Sequence, residues 1–164
     1  MAKVNAEVKK LKTLIGYLVS GLPKVRVGVI GSKAAVKRKD GEHQGLTNAE
    51  IGFINEFGKM TGKHRIQPRS FIFMPLRLYL NDYLKKHQST SKAEFEKAVQ
   101  NGKAEGFAKK VGLVAEECIQ DAFATRGFGN WEPNAAYTVA LKGSDSPLID
   151  TGELRRSISS EVKK

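Results

Sequence analysis

Several side chains in this chain are of kinds that do chemistry, and their spacing decides whether they could. Gly58-Lys59-Met60-Thr61-Gly62-Lys63-His64 has the glycines and the lysine of a phosphate-binding loop. A true loop has four residues between its glycines, Ser or Thr after the lysine, and a preceding strand. Here there are three residues, then His64, and the stretch before it reads as a helix. His43, His64 and His87 lie far apart and no two share a helical turn, so metal-ligand spacing is absent. Cys118 falls on the apolar face of a helical pattern among Val114, Ile119 and Phe123. There a thiol is a small buried hydrophobe, not an activated nucleophile. No G-x-S-x-G elbow presents a serine. Asp145, Asp150 and Glu153 gather near the C-terminus, where a hydrolytic role competes with capping and turn formation. These patterns point away from catalysis: no catalytic residue, no cofactor and no metal is expected.

Basic residues form the other candidate set. Lys33, Lys37, Arg38 and Lys39 lie in one polar stretch, and Lys59, Lys63, Arg65 and Arg69 in another. Residues 1–69 carry 14 Lys and Arg against 5 Asp and Glu, a net +9 of the chain's formal +11. Charge alone suits duplex phosphates or an acidic protein surface. Neither stretch holds aromatic residues on which single-stranded bases would stack. Asp40 and Glu42 suit mixed-charge protein contacts better than phosphate. Lys33, Lys37, Arg38, Lys39, Lys63 and Arg65 are therefore the candidates for contact with an acidic partner or with DNA.

The elements that must position these groups follow from periodicity. Val4, Val8, Leu11, Ile15 and Leu18 fall at helical spacing over residues 3–20, and Gly21 to Pro23 end that helix. Val25, Val27 and Val29 alternate with Lys24, Arg26 and Gly28, as in a half-buried strand. Residues 31–46 and 59–67 read as exposed basic loops. Between them, Thr47 and Glu50 form a capping box for a helix carrying Ile51, Ile54 and Phe57, closed by Gly58 in a left-handed conformation. Ser70 is placed to cap a helix reaching about Lys86, with Pro75 in its first turns. Ser91 and Glu94 start a long helical pattern to about Thr125, with a break expected near Gly102 and Gly106. Regular patterning then stops for residues 127–155, read as a long extended loop with Trp131 and Leu148 as anchors, poorly ordered or extended away from the body in a free subunit and ordered by neighbours on assembly. Within it Thr138 is placed to cap one turn that Gly143 closes, and Asp150 and Glu153 form a D-x-x-E box ahead of Leu154. Ser157 to Val162 suits a last strand.

With 164 residues, 40% apolar and 27% charged, the chain can bury one core. The expectation is a single α+β domain over 1–164. It has a small, mostly antiparallel sheet, three to four helices of which two are long, an N-terminal helix within 1–22, and the long C-terminal loop. No run of about 18 apolar residues exists to cross a membrane. The N-terminus lacks the continuous apolar centre of a secretory signal, and one cysteine forbids an internal disulfide. Both suggest a protein kept in cytosol.

Three segments in order carry a resemblance. The first is Val25 to Ile30, read as V-x-V-G-V. The second is Ala49 to Gly58 followed by Ile66-Gln67-Pro68-Arg69-Ser70-Phe71, similar to N-E-F/Y-G … I-P-x-R-x-F. The third is Trp131 to Pro133, Thr138, Lys142-Gly143, then Pro147-Leu148-Ile149-Asp150-Thr151-Gly152-Glu153-Leu154 and Ser157-Ile158, similar to K-G … P-L-x-D-T-G-x-L-x-x-S-I. Together they resemble the tail-completion or virion-morphogenesis family, proteins of the head–tail connection of tailed phages. Gln67 stands where that family often has proline. The resemblance implies a structural virion protein, not an enzyme. It would be a ring-forming subunit at the tail end or neck, assembled in host cytoplasm, with neighbouring neck and tail proteins as partners and at most non-specific DNA contact. It also implies structural or interface roles for Glu56, Phe57, Gly58, Pro68, Arg69, Phe71, Trp131, Pro147, Leu148, Asp150, Thr151, Gly152 and Leu154. The competing expectation, from the basic first part, is a DNA-binding or DNA-packaging accessory protein.

Overall fold

The computed structural model describes residues 2–39, 44–61, 64–143, 145–149 and 152–163. Asp40, Glu42, His43, Lys63, Asp150 and Thr151 lie outside the described residues. The architecture is α+β, and helix, 3-10 turns included, makes up 59% of the described residues. Two antiparallel ribbons of two strands each complete it among those residues.

Helix α1 (Ala2–Ser20) ends where the Gly21 N–H donates to the Tyr17 carbonyl. Strand β1 (Lys24–Val29) pairs antiparallel with β4 (Ile158–Lys163), with Val27 opposite Ser160. The period-2 reading of β1 holds over Lys24 to Val27, where the valines are half-buried and Lys24 and Arg26 exposed, but Gly28, read with the outer set, is buried beside Ile72. Helix α2 (Asn48–Phe57) starts at Thr47 with both halves of the capping box made. The Glu50 carboxylate accepts from the Thr47 N–H and hydroxyl, which holds its pKa below the ordinary value.

The stretch 59–67 is not a loop. It folds as a hairpin of β2 (Lys59–Thr61) and β3 (His64–Ile66). The described part of 31–46 is not wholly irregular either: Gly31–Ala35 wind into a 3-10 turn and Lys37 bridges to Thr47. The expected helix to Lys86 is two: α3 (Phe73–Leu78) and α4 (Leu80–Lys86), broken at Tyr79. The long pattern after Ser91 likewise divides into α5 (Lys92–Gln100) and α6 (Ala104–Ala124), with Gly102 at φ 70° in the break. Two short helices, α7 (Ala136–Lys142) and α8 (Glu153–Arg156), occupy the segment read as a loop. These splits and additions raise the helix count above the three or four expected. Thr138 lies inside α7, whose N-cap is Ala135, while Gly143 closes it in the left-handed conformation as expected. Gly152 caps α8, so Glu153 is its first residue and not the third position of an acidic box.

Helix α6 is the central beam. It lies across the β1–β4 ribbon and also packs on α3, α4 and α5. One core gathers Ile51, Phe71, Ile119, Ala122, Phe123, Trp131, Leu154 and Ile158. A smaller one holds Tyr83, Val114 and Cys118, with Tyr79 and Phe128 packed against them. Contact between α6 and the ribbon is close at Gly112, where a Cβ would lie 2.6 Å from the Ser160 hydroxyl and 2.9 Å from its Cβ. A methyl there forces the strand outward. Gly112→Ala should therefore destabilise by roughly 1–3 kcal/mol in urea unfolding. The gain in helix propensity, about 1 kcal/mol in an open helix, should not appear, and a net gain in stability would show that the ribbon is looser than described.

Candidate functional site

Of the residues singled out by the resemblance, Glu56, Gly58, Pro68, Arg69, Phe71 and Trp131 meet near the end of α2. Glu56 is buried, at 8% exposure, on a helix whose neighbouring Phe53 and Phe57 face outward. A buried carboxylate is costly unless donors surround it. Glu56 accepts the N–H groups of Phe71 at 2.8 Å, Ile72 at 3.0 Å and Phe73 at 2.9 Å, and the Ser70 hydroxyl at 2.5 Å. These are donors at the start of α3 that the helix itself cannot satisfy. Ser70 caps at one remove: its Oγ accepts from the Met74 N–H at 2.9 Å, while Ile72 holds the N-cap position.

Gly58 has φ 75° and ψ 172°, a positive φ but not the left-handed helical cap expected of it. A Cβ there would lie 2.7 Å from the Ile66 carbonyl oxygen and 3.2 Å from the Pro68 ring. Glycine thus lets α2 turn directly into the hairpin that returns the chain through Pro68 to Glu56. Asn55, which opens the N-E-F/Y-G pattern but is given no role of its own by it, steadies the return: its carbonyl accepts from the Arg69 N–H at 2.7 Å, and its side-chain amide donates to the Ile51 carbonyl.

The third segment is tied to the same place. Arg69 Nε donates to the Glu132 carbonyl at 3.1 Å and its terminal nitrogen to the Pro133 carbonyl at 3.0 Å. Burial lowers the pKa of this guanidinium, opposed by Glu132. The Trp131 indole donates to the Ser70 carbonyl at 3.2 Å, and its ring stands edge-on to Phe123. Gly127, at φ 67°, lies where any Cβ would enter that indole ring. Phe71 is wholly buried between these parts. Leu154 and Pro147 are also buried, and Leu148 packs at the core's edge with φ 60°. Segment 127–149 is thus held against the body at both ends and does not stand away from it. Arg126 and Asp145 add an exposed ion pair across its base at 2.9 Å.

The basic candidates separate. Lys37, Lys39 and Arg65 are exposed. Lys33 donates to the Arg156 carbonyl at 3.0 Å. Arg38 is largely covered and pairs with Glu153, so its charge serves an internal contact and not the open surface expected. Phe57 is placed outward: it is 65% exposed and stacks on Phe53 with ring centroids 4.9 Å apart. Met60 and Phe73 are exposed on neighbouring elements. The resemblance singles out Phe57, but its helical spacing with Ile51 and Ile54 places it on α2's buried face; Phe53, Met60 and Phe73 are not singled out.

Reactive groups stand elsewhere and are occupied. Cys118 is fully buried, its thiol directed at the Pro75 carbonyl, and burial pushes its pKa up to about 11. His87 pairs with Glu117 at 2.9 Å, and Tyr83 donates to Asp121. Among the described residues, no three His, Cys, Asp or Glu side chains come together as a metal site, and no helix is long and apolar enough to cross a membrane. Comparison with family models, with characterised proteins and with solved structures returned no match to this chain.

Two outcomes follow. Glu56→Ala strips four donors of their acceptor and should cost on the order of 3 kcal/mol in urea unfolding. A cost below about 0.5 kcal/mol, the size of an ordinary surface change, would mean the donors are satisfied without it. Cys118 should resist alkylation by iodoacetamide at neutral pH in the folded protein and react on unfolding, because thiolate is the reactive form. Rapid labelling of the native state would contradict its placement.

Proposed function

We propose that this chain is a structural subunit of a tailed-phage particle, completing the tail end or joining tail to head, with copies arranged in a ring. One observation carries the reading. Glu56, Arg69, Phe71 and Trp131, from two of the segments that resemble the tail-completion family, converge on one knot, and its polar groups are spent on each other. Glu56 is turned toward backbone donors, Arg69 toward two carbonyls, and Trp131 toward Ser70. A motif made this way holds irregular segments in fixed positions and leaves no reactive group free at its centre. That suits a subunit that must present its surface in one geometry to identical neighbours. On this reading the chain has no catalytic activity, and its partners are further copies and the adjoining neck and tail proteins. The outward Phe53, Phe57, Met60 and Phe73 suit such contacts.

A second reading, a DNA-binding or DNA-packaging accessory protein, is favoured by exposed Lys37, Lys39 and Arg65 on a chain of formal charge +11. Phosphate contacts make affinity fall steeply with salt. Negative-stain images of the purified full chain separate the two. Closed rings of uniform diameter are the expected result, with weak duplex binding that Lys37→Ser together with Lys39→Ser leaves unchanged. Particles without closed symmetry, joined to tight and steeply salt-dependent duplex binding that the double variant abolishes, would overturn the structural reading in favour of the accessory protein.

A further inference from the structure

Helix α1 sits on the body the wrong way round for an ordinary surface helix. Thr13 lies against Gly102, and the Tyr17 hydroxyl accepts from the Ala104 N–H at 3.3 Å. Thr13 and Tyr17 are four residues apart and mark the face turned toward the protein. The apolar side chains are on the opposite face. Val8, Leu11, Leu14, Ile15 and Val19 are all exposed, Leu11 to 58% and Val19 to 83%. A helix normally buries that stripe. In proteins most of a helix's stability comes from packing its apolar face, and α1 leaves that face unburied. A partner for the outward stripe would supply that packing.

The spacing identifies the partner. Val8, Leu11 and Ile15 follow one another at intervals of three and four. In the sequence Val4 and Leu18 continue the rhythm, and Leu22 falls on it just past the helix end. That is the seven-residue repeat of a coiled coil, with Val8 and Ile15 at the first core position and Leu11 at the second. β-Branched residues at the first and leucine at the second favour two parallel strands. In this frame Thr13 and Tyr17 are outer positions, as their seating on the body requires. The charged residues at flanking positions are Glu7 on one side of the seam and Lys12 on the other, with Leu14 and Val19 one heptad further on. In a parallel pair Glu7 of one helix faces Lys12 of the second, since these flanking positions meet at an offset of five residues. Both symmetric pairs are then of opposite charge.

We propose that α1 is a self-association helix, which packs its outward seam against α1 of a second copy as a parallel coiled coil held in register by reciprocal Glu7–Lys12 pairs. The inference does not rest on the virion reading. A chain that associates through α1 yet forms no ring would keep this proposal and lose that one.

Sedimentation velocity of the full chain over a concentration series tests it, with circular dichroism as the check on folding. The wild type should shift to larger species with concentration. Leu11→Lys with Ile15→Lys should remove the shift and leave the thermal transition of the body in place, because both side chains are exposed in the single subunit. At low salt Glu7→Lys alone and Lys12→Glu alone should each weaken association, and the two together should restore it. Val8→Cys should form an intermolecular disulfide under mild oxidation, because parallel pairing brings the two positions together. A wild type that stays monomeric throughout would overturn the proposal, and so would one that instead co-floats with anionic phosphatidylserine vesicles as a monomer. Association unchanged by the double lysine variant would overturn it equally. A charge exchange without rescue, or absence of the Val8→Cys cross-link, would refute the parallel register.

Discussion

A carboxylate withdrawn from water must be met by donors, and the beginning of a helix has donors that its own backbone leaves over. Glu56 and the N-terminus of α3 answer each other's need. The carboxylate accepts from three successive backbone N–H groups and from Ser70, and its negative charge lies at the positive end of the helix. Much else depends on that contact. It fixes where α3 begins, and so where Phe71 enters the core and where Pro75 meets Cys118 on α6. It also fixes the Ser70 carbonyl that receives the Trp131 indole, and the backbone from which Arg69 reaches the carbonyls of Glu132 and Pro133. Segments distant in the chain are thus joined through a short stretch of backbone.

What remains outside the knot is surface, and it is unusual surface. The stacked pair Phe53 and Phe57, the exposed Met60 and Phe73, and the outward seam of α1 are all apolar. A rigid centre with apolar faces on opposite sorts of element, a packed helix and a perched one, is the form expected of a protein whose work is contact. Electrostatics is secondary in this picture. Arg38 and Lys33 are drawn into contacts with the α8 region, which leaves a smaller basic surface than the sequence count suggests.

Local signals read correctly where one physical rule governed. Thr47 and Glu50 marked the start of α2, alternation marked β1, and Gly102 marked the break between α5 and α6. The split at Tyr79 was hidden because Leu76, Leu80, Tyr83 and Leu84 keep an apolar rhythm through it. Each strand of the 59–66 hairpin has three residues, too few for any alternation to show. Segment 127–149 was opaque for another reason. Arg126, Phe128 and Leu148 all have positive φ without being glycine. Nothing in those side chains announces that conformation, which costs energy. It is held by contacts made elsewhere, such as the Thr125 hydroxyl accepting from the Phe128 N–H. At the site, the resemblance drew attention to Glu56 but the residues alone did not. Its burial depends on donors fifteen to seventeen positions later, a distance that periodicity does not span.

The central claim is that Glu56 joins the end of α2, the start of α3 and the Trp131 segment into one cooperative unit. Native-state hydrogen exchange measures this directly, because groups that open together exchange with one free energy. The amides of Phe71, Ile72 and Phe73 and the indole N–H of Trp131 should exchange only by the opening that releases the middle of α6. Exchange of the Trp131 indole or of those amides through an easier local opening, with α6 still protected, would contradict the account.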